Sequence, residues 1–132
     1  MDKINDNKHY RIDEVFNLLG EENLIGEKRG PSKGDMEIDG YMVHPRSLRY
    51  MVFYQKGVVC CKCGCKGSYF KLDKESKDYD GNRRHFNLYT EDGILMTKDH
   101  ILPRSKGGRD VISNMQTMCT ICNFKKGNRI EE

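Results

Sequence analysis

The chain has 132 residues, 36% of them apolar, and a mean hydropathy of −0.79. That leaves room for one thin-cored domain that needs a staple such as disulfides, a metal or a partner. No stretch approaches the roughly 20 apolar residues of a membrane span, and Met1–Asn7 lacks the apolar run of a signal peptide. The chain is therefore expected in the cytoplasm, without a membrane role. The net charge of +3 hides an asymmetry. Through residue 97 the cations and carboxylates cancel, whereas Lys98, Arg104, Lys106, Arg109, Lys125, Lys126 and Arg129 face only Asp99 and Asp110. Such a basic block suits a polyanionic partner.

In chain order, Ile12, Val15, Phe16 and Leu19 follow the i, i+3, i+4, i+7 rule and predict a helix that Gly20 closes in a left-handed cap. Gly26 to Gly34 reads as a loop. Met36–Ile38 and Tyr41–Val43 flank Asp39-Gly40, a two-residue hairpin signal. Ser47 caps a helix with Leu48, Met51 and Val52 on its apolar face, ended by Gly57. Ser68–Leu72 is a strand, and the charged stretch Asp73–Asn82 is expected to be mobile. Phe86 with Leu88, and Ile94 with Met96, mark two strands joined by the turn Thr90–Gly93, the second running to Ile101. Pro103–Arg109 is a Gly-rich basic loop, Val111-Ile112 begins another strand, and Thr120–Asn128 is a short helix. The C-terminal order is strand, loop, strand, helix.

Six cysteines punctuate this plan. Cys60 and Cys63 are spaced C-x2-C, and Cys119 and Cys122 repeat the spacing. Such a turn lets two thiolates converge on one tetrahedral ion, so two pairs make a four-cysteine structural zinc site. The span between the pairs is too long for an ordinary zinc finger, and the metal must clamp distant parts of one fold. Its binding energy, on the order of ten kcal/mol or more, would offset the thin core. Cys61 and Cys65 also have zinc-like spacing; Cys60 and Cys63 are preferred because Gly64 follows and lets the backbone fold under the sulfurs. A disulfide-stapled secreted protein is the competing reading.

Between the pairs lies Asp99-His100, then the Gly-rich loop, then Asn114, with Asn123 directly after the last cysteine. A carboxylate and an amide oxygen form a sparse hard site suited to Mg²⁺ or Mn²⁺, while zinc prefers the sulfurs. In this reading Asp99 and Asn123 hold the catalytic metal, His100 takes a proton from water, and Asn114 bonds across the loop to orient His100. Arg104, Lys106, Arg109, Lys125, Lys126 and Arg129 bracket the site as phosphate contacts.

Leu95–Pro103, Ser105, Gly107-Gly108, Asn114, Gln116, Cys119-x2-Cys122-Asn123 and Lys126-Gly127 together resemble HNH endonucleases. Cys60-x2-Cys63-Gly64 and His85–Tyr89 are similar to motifs of the small members carried by bacteriophages. The resemblance covers roughly Ser47 to Asn128. It implies an α+β chain with a small zinc-stapled ββα-metal fold over residues 47–132, preceded by a helix-and-hairpin extension over 1–46. It also implies one catalytic divalent ion and hydrolysis of DNA phosphodiesters, duplex DNA being the expected substrate, to leave a 5′-phosphate. By the same match His100 is the base, Asp99 and Asn123 are metal ligands, and Asn114 orients the loop. Asn123 stands where many members carry a second histidine, which favours Mg²⁺ or Mn²⁺ over softer ions. The competing classes are a non-catalytic zinc-stapled nucleic-acid-binding module, and an RNA-directed or packaging-associated nuclease subunit.

Overall fold

A computed structural model describes residues 7–31, 34–75 and 81–130. It is a small mixed α+β fold of three helices and three two-stranded antiparallel ladders. Helix α1 (Ile12–Leu19) buries Val15 and Leu19, as its apolar spacing predicts, and Arg11 N–H donates to Glu14 Oε1 at 3.2 Å to secure its start. Gly20 ends it with φ 90° but ψ 132°, outside the expected left-handed cap: its N–H reaches Phe16 O while the chain leaves extended into a 3-10 turn at Glu21–Asn23.

Strands β1 (Met36–Ile38) and β2 (Tyr41–Val43) pair through the Asp39-Gly40 turn. Both turn residues have positive φ, 52° and 89°, the conformation that continues the right-handed twist of the strands. Helix α2 (Leu48–Lys56) starts where Ser47 accepts the Arg49 N–H at 3.2 Å and stops at Gly57. Its buried residues Tyr50 and Phe53 face one core, while Met51 and Val52 face another.

Strands β3 (Gly67–Lys74) and β4 (Arg84–Thr90) form the longest ladder. Phe70 and Phe86 pack edge to face with ring centroids 6.0 Å apart, and Tyr10 meets Phe86 at 5.1 Å. Val15, Leu19, Leu24, Ile38 and Val43 bury into this same cluster. Burying such side chains contributes roughly 1.5–3 kcal/mol each, so the N-terminal elements share the core of the β3–β4 ladder. The buried Tyr50 hydroxyl accepts Phe86 N–H at 2.8 Å, and burial pushes its ionisation well up. Of the charged stretch expected to be mobile, residues 76–80 lie outside the described residues.

Strands β5 (Met96–His100) and β6 (Met115–Cys119) pair from Met96↔Cys119 to His100↔Met115, and helix α3 (Thr120–Lys126) follows β6 without a linker. The bridge Tyr89↔Leu95 links β4 to the residue just before β5. Two of the boundaries that differ from the sequence reading flank the Gly-rich loop. Val111-Ile112 begins no strand: Ile112–Asn114 is a 3-10 turn, because Ile112 N–H bonds to Glu27 O and its side chain buries against Met51, Val52 and Met115. Strand β5 ends at His100: Ile101 N–H still reaches Asn114 O at 2.8 Å in register, but Asn114 belongs to the 3-10 turn and its side chain takes the N–H of Leu102 at 2.9 Å. No helix among the described residues is long and apolar enough to cross a membrane.

Candidate nuclease site

Cys60, Cys63, Cys119 and Cys122 converge, with every pair of sulfurs within 4.8 Å. No cysteine is in a disulfide. A tetrahedral ion with bonds of about 2.3 Å requires sulfurs about 3.8 Å apart, and Cys63 Sγ lies 3.9 Å from Cys119 Sγ. The group can therefore hold a metal such as zinc. Two of these thiols show opposite tendencies. Burial works to raise the Cys60 thiol, but N–H groups of Cys119, Cys63 and Lys62 outweigh it and bring it down to about 6. Burial, reinforced by neighbouring sulfurs, pushes Cys122 up to about 12. Four thiolates this close need a cation to share them. Cys65 packs beside the cluster, 4.0 Å from Met96 Sδ, and Cys61 is exposed.

Cys119 has a second duty. It is the N-cap of α3, its Sγ accepting Cys122 N–H at 3.4 Å. The cluster thereby sets where α3 leaves β6, and so where Asn123 stands.

Asp99, His100 and Asn123 line one open cavity of about 260 Å³, with Lys98 and Arg104 in its wall. Asp99 is buried, and both of its hydrogen bonds fall on Oδ2: Gln116 Nε2 donates at 2.9 Å and Lys126 Nζ at 2.5 Å. Oδ1 accepts no hydrogen bond among the described residues. Asn123 donates from Nδ2 to Lys98 O at 3.4 Å, which leaves its amide oxygen as the free end. A bare carboxylate oxygen and an amide oxygen on one cavity are hard donors that fit Mg²⁺ or Mn²⁺.

His100 Nε2 lies 2.7 Å from Asp110 Oδ1. The carboxylate fixes Nε2 as the protonated nitrogen and leaves Nδ1 as the basic one. In turn the hydrogen bond to His100, aided by the Arg104 charge, holds the Asp110 carboxyl below its usual range. The side-chain amide of Asn114 bonds across the loop. Its Oδ1 accepts Leu102 N–H at 2.9 Å, and its Nδ2 donates to Leu102 O at 3.1 Å and to Arg109 O at 3.0 Å. Both ends of the loop between His100 and Asp110 are thus pinned by one side chain. The loop turns so tightly that a Cβ on Gly108 would stand 1.7 Å from Leu102 O.

Arg104, Lys106, Arg109, Lys125 and Arg129 are exposed, as phosphate contacts must be. Lys126 is the correction. It is 2% exposed, and its amine is spent on Asp99 Oδ2 and on His100 O at 2.7 Å, so it cannot reach a substrate phosphate. It balances the buried carboxylate instead.

Residues 90–132 match a family model described as HNH endonuclease. This C-terminal segment is similar to HNH endonucleases. The matched segment contains β5, the loop, β6 and α3, and with them Asp99, His100, Asn114 and Asn123. HNH proteins are metal-dependent nucleases, so the family implies nuclease activity and a nucleic-acid substrate. No curated protein and no solved structure matches the chain. Sequence reasoning missed Asp110, Gln116 and Lys126 as partners of the candidate site residues. The pair Gly107-Gly108 was the available signal for Asp110, since it lets the loop double back toward His100. Nothing in the spacing marked Lys126 as an internal counter-charge.

Proposed function

We propose that the chain is a metal-dependent endonuclease that hydrolyses DNA phosphodiester bonds, with residues 47–132 carrying the chemistry and residues 1–46 supporting it. What supports this reading is one arrangement: Asp99, His100 and Asn123 share a cavity, and the loop carrying the partner of His100 is clamped by Asn114. Asp99 and Asn123 would hold Mg²⁺ or Mn²⁺, which would supply charge stabilisation at the scissile phosphate. His100, with Nε2–H on Asp110, accepts at Nδ1 the proton of the attacking water. The water oxygen forms the new bond to phosphorus as the bond to the 3′-oxygen breaks, leaving a 5′-phosphate and a 3′-hydroxyl that takes its proton from solvent. Lys126 and Gln116 hold the Asp99 carboxylate in one orientation. Arg104, Lys106, Arg109, Lys125 and Arg129 attract the substrate backbone. Cys60, Cys63, Cys119 and Cys122 would hold structural zinc, which would fix α3 against β5.

The test is supercoiled-plasmid nicking with and without added Mg²⁺ or Mn²⁺, beside zinc analysis of the purified protein. Wild type nicks only with the added ion, and His100→Ala loses roughly 10²- to 10⁴-fold in rate while retaining its zinc. Equal behaviour of the two proteins would leave a zinc-stapled nucleic-acid-binding module. Parallel assays on single-stranded DNA and RNA separate duplex DNA from the other substrates.

A further inference from the structure

A second cavity is larger than the one around His100. A recess of about 360 Å³ lies between α2, β4 and β5, and Lys98 lines both cavities. Three cations converge on the recess from three parts of the chain: Arg29 from the N-terminal loop, Arg49 from the first turn of α2, and Lys98 from β5. None makes an ion pair among the described residues. Arg29 donates to Arg46 O and meets His44 Nε2 at 2.8 Å, and Arg49 donates to the neutral amide oxygen of Asn87 at 3.0 Å. Lys98 Nζ makes no hydrogen bond there at all. The one carboxylate in the wall, Glu75, stands 3.5 Å from Arg83 and 3.9 Å from His85. Ser47 and the first turn of α2 also border the recess, and that turn has no acidic residue to offset the helix's positive end.

Gathering in one concavity three cations that make no ion pair among the described residues is unfavourable unless an anion is expected there, although the Asp110 and Asp99 carboxylates offset part of the Lys98 charge. Lys98 and His100, two apart on β5, share a face of that strand, so a chain of phosphates entering the His100 cavity continues past Lys98 into the recess. We infer that the recess formed by Arg29, Arg49 and Lys98 binds a backbone phosphate of the nucleic-acid substrate neighbouring the scissile one, with Lys98 lying between the two. This rests on the endonuclease reading and gives the N-terminal segment, through Arg29, a direct place in substrate binding.

The test uses the full chain with its zinc and a short fluorescent duplex DNA, in buffer without added divalent ion. Binding is followed by anisotropy across a salt series. Each phosphate contact contributes about 0.9 to the slope of log K against log salt, or about 3.5-fold in affinity between 50 and 200 mM. Lys98→Gln and Arg49→Gln should each lower the slope by about that amount, and the double variant by twice as much. Arg49→Lys should keep it, which separates charge from the bond to Asn87. In plasmid nicking with Mg²⁺ the same variants should raise KM. Lys98 Nζ makes no hydrogen bond among the described residues, so Lys98→Gln removes charge without removing a side-chain hydrogen bond. Unchanged slopes in Lys98→Gln and Arg49→Gln, with wild type still binding and nicking, would overturn the recess alone. A wild type that neither binds nor nicks DNA would overturn the endonuclease reading and the recess with it.

Discussion

Replacing Asn114 with alanine removes three hydrogen bonds at once, to Leu102 N, Leu102 O and Arg109 O. At about 1 kcal/mol net each the bonds amount to roughly 3 kcal/mol. Asn114 is half-buried and the loop beside it exposed, so water recovers part of this and about 2 kcal/mol should be lost. For a chain of this length that is about 6–10 °C in Tm. The larger effect should fall on catalysis. Asp110 follows the pinned Arg109 directly, and a loosened loop lets it and His100 drift, where a displacement of about 1 Å can cost on the order of 10²-fold in rate. Asn114→Asp is the sharper perturbation: it keeps an acceptor for Leu102 N–H but sets a carboxylate oxygen against two carbonyls. Thermal unfolding and plasmid nicking at saturating Mg²⁺ read the two effects separately. A variant with wild-type kcat despite the lower Tm would show that the clamp does not position His100, and an unchanged Tm would show that the three bonds contribute nothing.

Three other perturbations probe different parts of the fold. Lys126→Met leaves the buried Asp99 carboxylate without its counter-charge and should cost about 3–5 kcal/mol. If Asp99 holds a divalent ion, Mg²⁺ or Mn²⁺ should raise the Tm of this variant more than that of wild type, and equal increments would speak against Asp99 as a ligand. Asp110→Asn, at a largely exposed position, should leave Tm nearly unchanged while lowering kcat about tenfold or more; an unaltered kcat would remove Asp110 from the reaction. Acidification should release the structural metal. The Cys60 thiol, depressed to about 6 in the fold, contributes stability that is fully present above its ordinary value and is lost as pH falls through about 6. Protons then compete for the sulfurs, and a zinc indicator titrated from pH 8 to 5 should report release near the lower end together with a falling Tm. Release independent of pH would contradict thiolate ligation.

Much of the C-terminal unit was legible because its chemistry is spelled in short, fixed spacings. The two C-x2-C pairs come together, and Asp99, His100 and Asn123 reach one cavity. The hairpin at Asp39-Gly40 and the Ser47 cap were equally plain, since each depends on two or three adjacent residues. Features set by distant contacts were hidden. Val111-Ile112 has β-branched side chains, yet Glu27 captures the Ile112 backbone and turns the segment into a 3-10 bend. Lys126 looks like any surface lysine, and only the fold reveals that its amine meets Asp99 inside. The recess beside Lys98 could not be read at all, because its three cations come from segments far apart in the chain.

Glu27 carries a last consequence. Its backbone oxygen holds Ile112 N–H at 2.8 Å, and its carboxylate takes Ser113 N–H at 2.5 Å, immediately before Asn114. The bolt that seats the loop clamp is therefore supplied by a residue far upstream of the segment that matches the family. Residues 90–132 are not a cassette that can be lifted out and grafted onto another scaffold, for a transplant would leave its own anchorage behind.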